Sequence, residues 1–101
     1  MFERPASGER AILVCVGLGR APEPDRVEEF GALARSAGAQ VLDVLVATRK
    51  SADPRFLIGS GKVEELRARV VALAAYLVVI DGSLSPSQER NLEKELQCRV
   101  L

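Results

Sequence analysis

Gly59-Ser60-Gly61-Lys62 is the first place in this chain where residue types and spacing suggest chemistry. A lysine just after a glycine turn, at the start of a helical pattern, suits an anion. Backbone N–H groups and the positive end of the helix both face it. A nucleotide phosphate loop reads G-x-x-x-x-G-K-[ST], with the final hydroxyl on Mg²⁺. Here Phe56 stands where the first glycine belongs, and Val63 replaces the hydroxyl. The backbone wrap and the metal ligand are both missing. Two readings remain: a glycine turn that admits a helix, and a contact for an RNA phosphate through Gly59, Gly61 and Lys62.

Gly17-Leu18-Gly19 follows an apolar run, as a dinucleotide fingerprint would, but the third glycine position is Pro22. Asp81-Gly82-Ser83 closes another apolar run. Ligands of open α/β sheets gather outside the carboxyl ends of strands, so Gly17, Gly19 and Asp81 form a candidate crevice. Asp-Gly is equally ordinary turn chemistry. Arg49, Lys50 and Arg55 make a basic cluster nearby. It is either a solvated loop or a contact for RNA phosphates, which position a protein without specifying sequence. Phe56 is the one aromatic residue beside them, too few for a base-stacking platform. The sequence contains no histidine, and its two cysteines, Cys15 and Cys98, lie in apolar runs. Histidine triads, structural zinc and a disulfide framework are excluded, and a reduced, cytoplasmic compartment fits. No metal site, no bound cofactor and no catalytic constellation is expected in this polypeptide.

These residues need elements to position them. At 101 residues the chain suits one domain with one core, and 48% apolar with 28% charged residues excludes disorder. Fourteen Lys+Arg against fourteen Asp+Glu leave no net charge, so any RNA contact must be local. Residues 1–10 are charged and read as a flexible lead, not a signal peptide. No apolar run approaches the ~18 residues of a membrane span. Residues 11–16 (AILVCV), 41–47 (VLDVLVA) and 76–80 (YLVVI) are continuous apolar runs, and 98–101 (CRVL) begins a fourth. Such runs suit strands buried on both faces of a parallel sheet.

Helical spacing separates the runs. Val27, Phe30, Ala34 and Ala37 share one face, with Gly38 as a cap; Val63, Leu66, Val70, Leu73 and Ala74 share another. Ser85, Pro86 and Gln88 spell a capping box with proline at the first helical position. Asn91 is read with them as a solvent-facing residue, and Leu92 and Leu96 as that helix's apolar contact. The order β-α-β-α-β-α-β predicts an α/β domain: a mainly parallel four-stranded sheet flanked by helices, over residues 11–101. Between the second strand and second helix, residues 48–60 form a long loop of the kind that often carries function, with room for a short strand at Phe56-Leu57-Ile58. The fourth strand is expected at or near an edge, where exposure could pair two chains.

Two stretches go beyond generic α/β chemistry. Residues 53–66 contain I-G-S-G-K-V-E-E-L, and residues 81–93 contain L-S-P-S-Q-E-R-N-L-E. Together with Glu9-Arg10-Ala11 they closely resemble the N-terminal domain of the HflX family of ribosome-associated GTPases, from about residue 9 to 101. The resemblance implies a parent protein in which a helical hairpin and a GTP-binding domain follow. That parent is expected to bind and hydrolyse GTP with Mg²⁺ and to associate with the large ribosomal subunit. It is implicated in splitting or rescuing stalled ribosomes, with the N-terminal region docking on ribosomal RNA. This polypeptide is expected not to hydrolyse GTP itself. Two alternatives stay open: a nucleotide-binding module in its own right, and a structural spacer that orients the GTP-binding domain.

Overall fold

A computed structural model describes residues 9–101. Four strands and three helices alternate: β1 (Glu9–Leu18), α1 (Pro24–Ser36), β2 (Ala39–Arg49), α2 (Ser60–Leu73), β3 (Leu77–Asp81), α3 (Pro86–Leu96) and β4 (Arg99–Val100). They form one sheet in the order β2-β1-β3-β4, with every pairing parallel. This is the expected α/β architecture, with β4 at an edge.

The central strand explains the sequence pattern. Ala11, Ile12, Leu13, Val14 and Cys15 of β1 are completely buried, so both faces of that strand are covered. Ile12, Val14 and Val16 join Val63, Leu66 and Val70 of α2 and Leu92 and Leu96 of α3 in the main core. Ala11, Leu13 and Cys15 alternate to the opposite face. There Asp81, the register partner of Cys15, bonds Arg26 of α1. Two helices therefore cover one face and α1 alone covers the other.

Local chemistry fixes the helix ends. Ser85 accepts from the Gln88 N–H at 3.1 Å, and the Ser85 N–H donates to Gln88 Oε1 at 2.9 Å, completing the predicted capping box. The α2 C-terminus is held by a residue assigned to the lead. Arg10 donates to the carbonyls of Leu73 (2.6 Å) and Ala74 (3.1 Å), giving a cation to the negative end of the helix. Of the lead expected over residues 1–10, Glu9 and Arg10 instead belong to β1, and residues 1–8 lie outside the described residues.

The structure corrects two other details and adds a third. Phe56, Leu57 and Ile58 are buried but form no strand; one antiparallel bridge between Asp53 and Leu57 closes a turn. Ala37, expected on the buried side of α1, is exposed; Gly31 is the one buried residue of that helix. β2 forms the other, longer edge of the sheet. On β2 the register against β1 slips at Leu42, and the Val44 N–H donates to Asp43 Oδ1 at 2.8 Å. Asp43 also pairs with Arg69 of α2.

Candidate functional site

In this strand order the chain leaves β1 in one direction and reaches β3 on its other side. The carboxyl ends of β1 and β3 are thus a topological switch point, where open α/β sheets bind ligands. A crevice of about 460 Å³ lies there. Val16 and Leu18 come from β1, Gly82 and Ser83 follow β3, Arg26 comes from the first turn of α1, and Leu57 from the long loop. Arg26 Nε donates to Asp81 Oδ2 at 2.9 Å, but Asp81, like Gly17 and Gly19, is not among the residues that line the crevice. Arg26 carried no sequence signal, because only the sheet order brings it to Asp81 and Ser83.

The two glycines of the β1–α1 turn serve the turn itself. A Cβ on Gly17 would collide with the Arg20 carbonyl and lie 2.8 Å from Pro22 Cδ. The Gly19 N–H donates to the Arg49 carbonyl at 2.7 Å, which ties the turn to the end of β2. That donor is therefore engaged within the fold, and Pro22 fills the place of the third fingerprint glycine. Beneath the crevice, burial raises the pKa of the Cys15 thiol. Asp81 adds to the effect, and Arg26 opposes it. Burial with nearby Glu93 pushes Cys98 up to about 11. Both thiols stay protonated near neutral pH, the state of inert core cysteines.

The long loop carries the other candidates. Arg49 lays its guanidinium across Gly59, where a Cβ would displace it, and its Nε donates to the Ser51 carbonyl at 3.1 Å. Lys50 is exposed, as is Gly61. Arg55 sits over the Phe56 ring, 4.9 Å from its centroid, a cation–π distance. Lys62 Nζ reaches Glu65 at 3.2 Å within α2, away from the crevice lining. Arg49 thus touches two other sequence candidates, Gly19 by its carbonyl and Gly59 by its side chain, while Lys62 stands apart. Val63, in the place of a phosphate loop's hydroxyl, is buried in the core. The turn does not fit a GTP–Mg²⁺ site. Among the described residues, no group of three His, Cys, Asp or Glu could hold a metal ion.

What fixes the loop was missed in the sequence. Gln88 Nε2 donates to the Asp53 carbonyl at 2.9 Å, and Asn91 Nδ2 to the Arg55 carbonyl at 3.0 Å. Asn91, read as solvent-facing, is a staple between α3 and the basic loop. Asp53 Oδ1 accepts the N–H groups of Phe56 (3.0 Å) and Arg55 (2.8 Å). These bonds, Phe56's foremost, hold the Asp53 carboxyl below its ordinary 3.8, with Arg49 and Arg55 assisting. A depressed folded value means that ionised Asp53 favours the ordered loop above the unfolded pKa. That contribution is lost as pH falls through the folded value. In an NMR titration, the Arg55 and Phe56 amides should shift together with a midpoint below 3.8. A midpoint at or above that value would contradict the arrangement.

Residues 24–101 match the family described as GTP-binding GTPase N-terminal. The chain belongs to the HflX family, as its N-terminal domain. It is 40% identical to GTPase HflX of Escherichia coli (strain K12), over all of this chain and 24% of that protein. It is 37% identical to GTPase HflX of Lacrimispora saccharolytica, over 92% of this chain and 22% of that one. The HflX domain seen here therefore spans about a quarter of these relatives' length. In the solved structure of SsGBP with GDP, a region covering 90% of this chain and 25% of that one superposes with a TM-score of 0.67 at 20% identity. That likeness concerns the fold. No helix among the described residues of the HflX domain is long and apolar enough to cross a membrane.

Proposed function

We propose that this HflX N-terminal domain is a docking module that sets a GTPase on the large ribosomal subunit through the loop between β2 and α2. The observation that carries the reading is the construction of that loop. Phe56, Leu57 and Ile58 are buried beneath it, while Lys50 and Arg55 are exposed and Arg49 is half-exposed beside them. A fixed backbone that presents guanidinium and ammonium groups suits the phosphates of ribosomal RNA. The domain has no bulk positive charge, so it contributes a few contacts to an affinity shared among linked modules. GTP and Mg²⁺ belong to the GTP-binding domain of the whole protein, and turnover occurs there. A helical hairpin and that domain are its partners in the same polypeptide. The whole protein works in the cytoplasm, splitting or rescuing stalled ribosomes.

The test is charge reversal at Arg49, Lys50 and Arg55 together in the whole protein. Sedimentation with large subunits across a salt series should show binding weakened about tenfold or more. The slope of log affinity against log salt should fall by roughly one per lost phosphate contact. Unchanged binding across the series rejects the proposal.

The crevice at the switch point favours one other reading, a module that binds a nucleotide or similar anion itself. Arg26 would exchange Asp81 for the anion. Saturable heat with ATP or GTP in calorimetry, lost on Arg26→Ala, would support that reading over docking alone.

A further inference from the structure

The three basic residues of the loop between β2 and α2 are not held alike. Lys50 is exposed, and among the described residues its side chain has no partner. Arg49 is half-exposed, and its guanidinium is engaged within the fold, on the Ser51 carbonyl and against Gly59. Of the three, only Arg55 combines an exposed charge with a fixed base. Its N–H donates to Asp53 Oδ1 at 2.8 Å, and its carbonyl accepts from Asn91 Nδ2 at 3.0 Å. Its guanidinium rests over the buried Phe56 ring, 4.9 Å from the centroid. Among the described residues that guanidinium donates no hydrogen bond, so its N–H groups stay available to an anion.

The grip on Arg55 comes from a rigid place. Asn91 lies 36 positions away on α3, next to Leu92, which is fully buried in the core. Its neighbour Gln88 also bonds the loop, at the Asp53 carbonyl, but Gln88 completes the capping box of α3 as well. Loss of Gln88 would therefore weaken the helix, whereas the Asn91 bond is separate from the cap. A side chain held before its partner arrives loses less freedom on binding. We infer that Arg55 is the loop's principal phosphate contact and that Asn91 is its positioning residue. The inference rests on the docking reading and names the residues that would carry it.

The test measures large-subunit binding of the whole protein by sedimentation. Arg55→Ala should weaken it about fivefold, against about twofold or less for Lys50→Ala. Asn91→Ala should weaken it about threefold and speed exchange of the Arg55 and Phe56 amides about fivefold, with the melting temperature within about 2 °C. Asn91→Gln, which keeps an amide donor, should bring both back to within about twofold of the native protein. In an Arg55→Ala background, Asn91→Ala should change affinity by less than about 1.5-fold, because the two residues act as one unit. An equal loss in both backgrounds overturns the inference, since Asn91 would then act through the fold at large. So does an Asn91→Ala variant that binds as the native protein does. Charge reversal at Arg49, Lys50 and Arg55 without effect removes the docking reading and this inference with it. A loss on that reversal beside full binding by Arg55→Ala overturns this inference alone.

Discussion

Val78→Asp is expected to leave no folded domain at 25 °C. Val78 is fully buried on β3, beside Ile12 and Val100 on the face covered by α2 and α3. A carboxylate there meets apolar neighbours and must either ionise without a partner or remain neutral without a donor. Burying such a group costs several kcal/mol, about as much as the roughly 5–15 kcal/mol that stabilises a domain in total. Val79→Asp, one residue along, should be far milder, because Val79 points to the opposite face of the sheet and is only partly buried there. Far-UV circular dichroism and urea titration of the two variants check this. Equal midpoints would mean that the two faces of β3 are not packed differently. In the sequence Val79 looked as good a core residue as Val78; the structure makes Val78 the proper target for separating a spacer role from a docking role.

The second large effect lies under the basic loop. Ile58→Ala should lower stability by about 2–5 kcal/mol, the usual range for truncating a buried isoleucine. Ile58 is fully buried, and its neighbour Leu57 holds a left-handed backbone (φ 69°) that a leucine adopts at a cost. The buried side chains hold that backbone in place, so shortening Ile58 should release the loop as well as weaken the core. Urea unfolding reads the first effect. Faster exchange of the Arg55 and Phe56 amides, relative to those of β1, reads the second. Under the docking proposal, ribosome affinity of the whole protein should also fall, though no charge has changed. Intact affinity with a loosened loop would show that loop order is not what docking needs.

How far the sequence went depended on the range of the interactions. Apolar runs reveal strands because burial acts on each residue of a run, so β1 and β3 were legible, as was α3, whose capping box lies within four residues. Sheet order is set by which runs meet at long separation, and that was not legible. Arg26 and Asp81 are 55 positions apart, and Arg10 is more than 60 from the carbonyls it caps. The same limit hid Asn91, which looks like an ordinary polar residue until α3 brings it against Arg55. The role of the Phe56-Leu57-Ile58 run was half legible. Its apolar character predicted burial, but a strand also needs a neighbouring strand with free N–H and C=O groups. Here only Asp53 serves, within the same turn.

The slip at Leu42 and the Asp43 carboxylate have a colloidal consequence. A chain from another molecule, laid along β2 to lengthen the sheet, would find the Val44 donor already taken and the pleat out of step by one residue. It would also meet a negative charge that Arg69 holds in place. Concentrated solutions of the domain should therefore resist fibre growth along β2, and self-association is steered elsewhere.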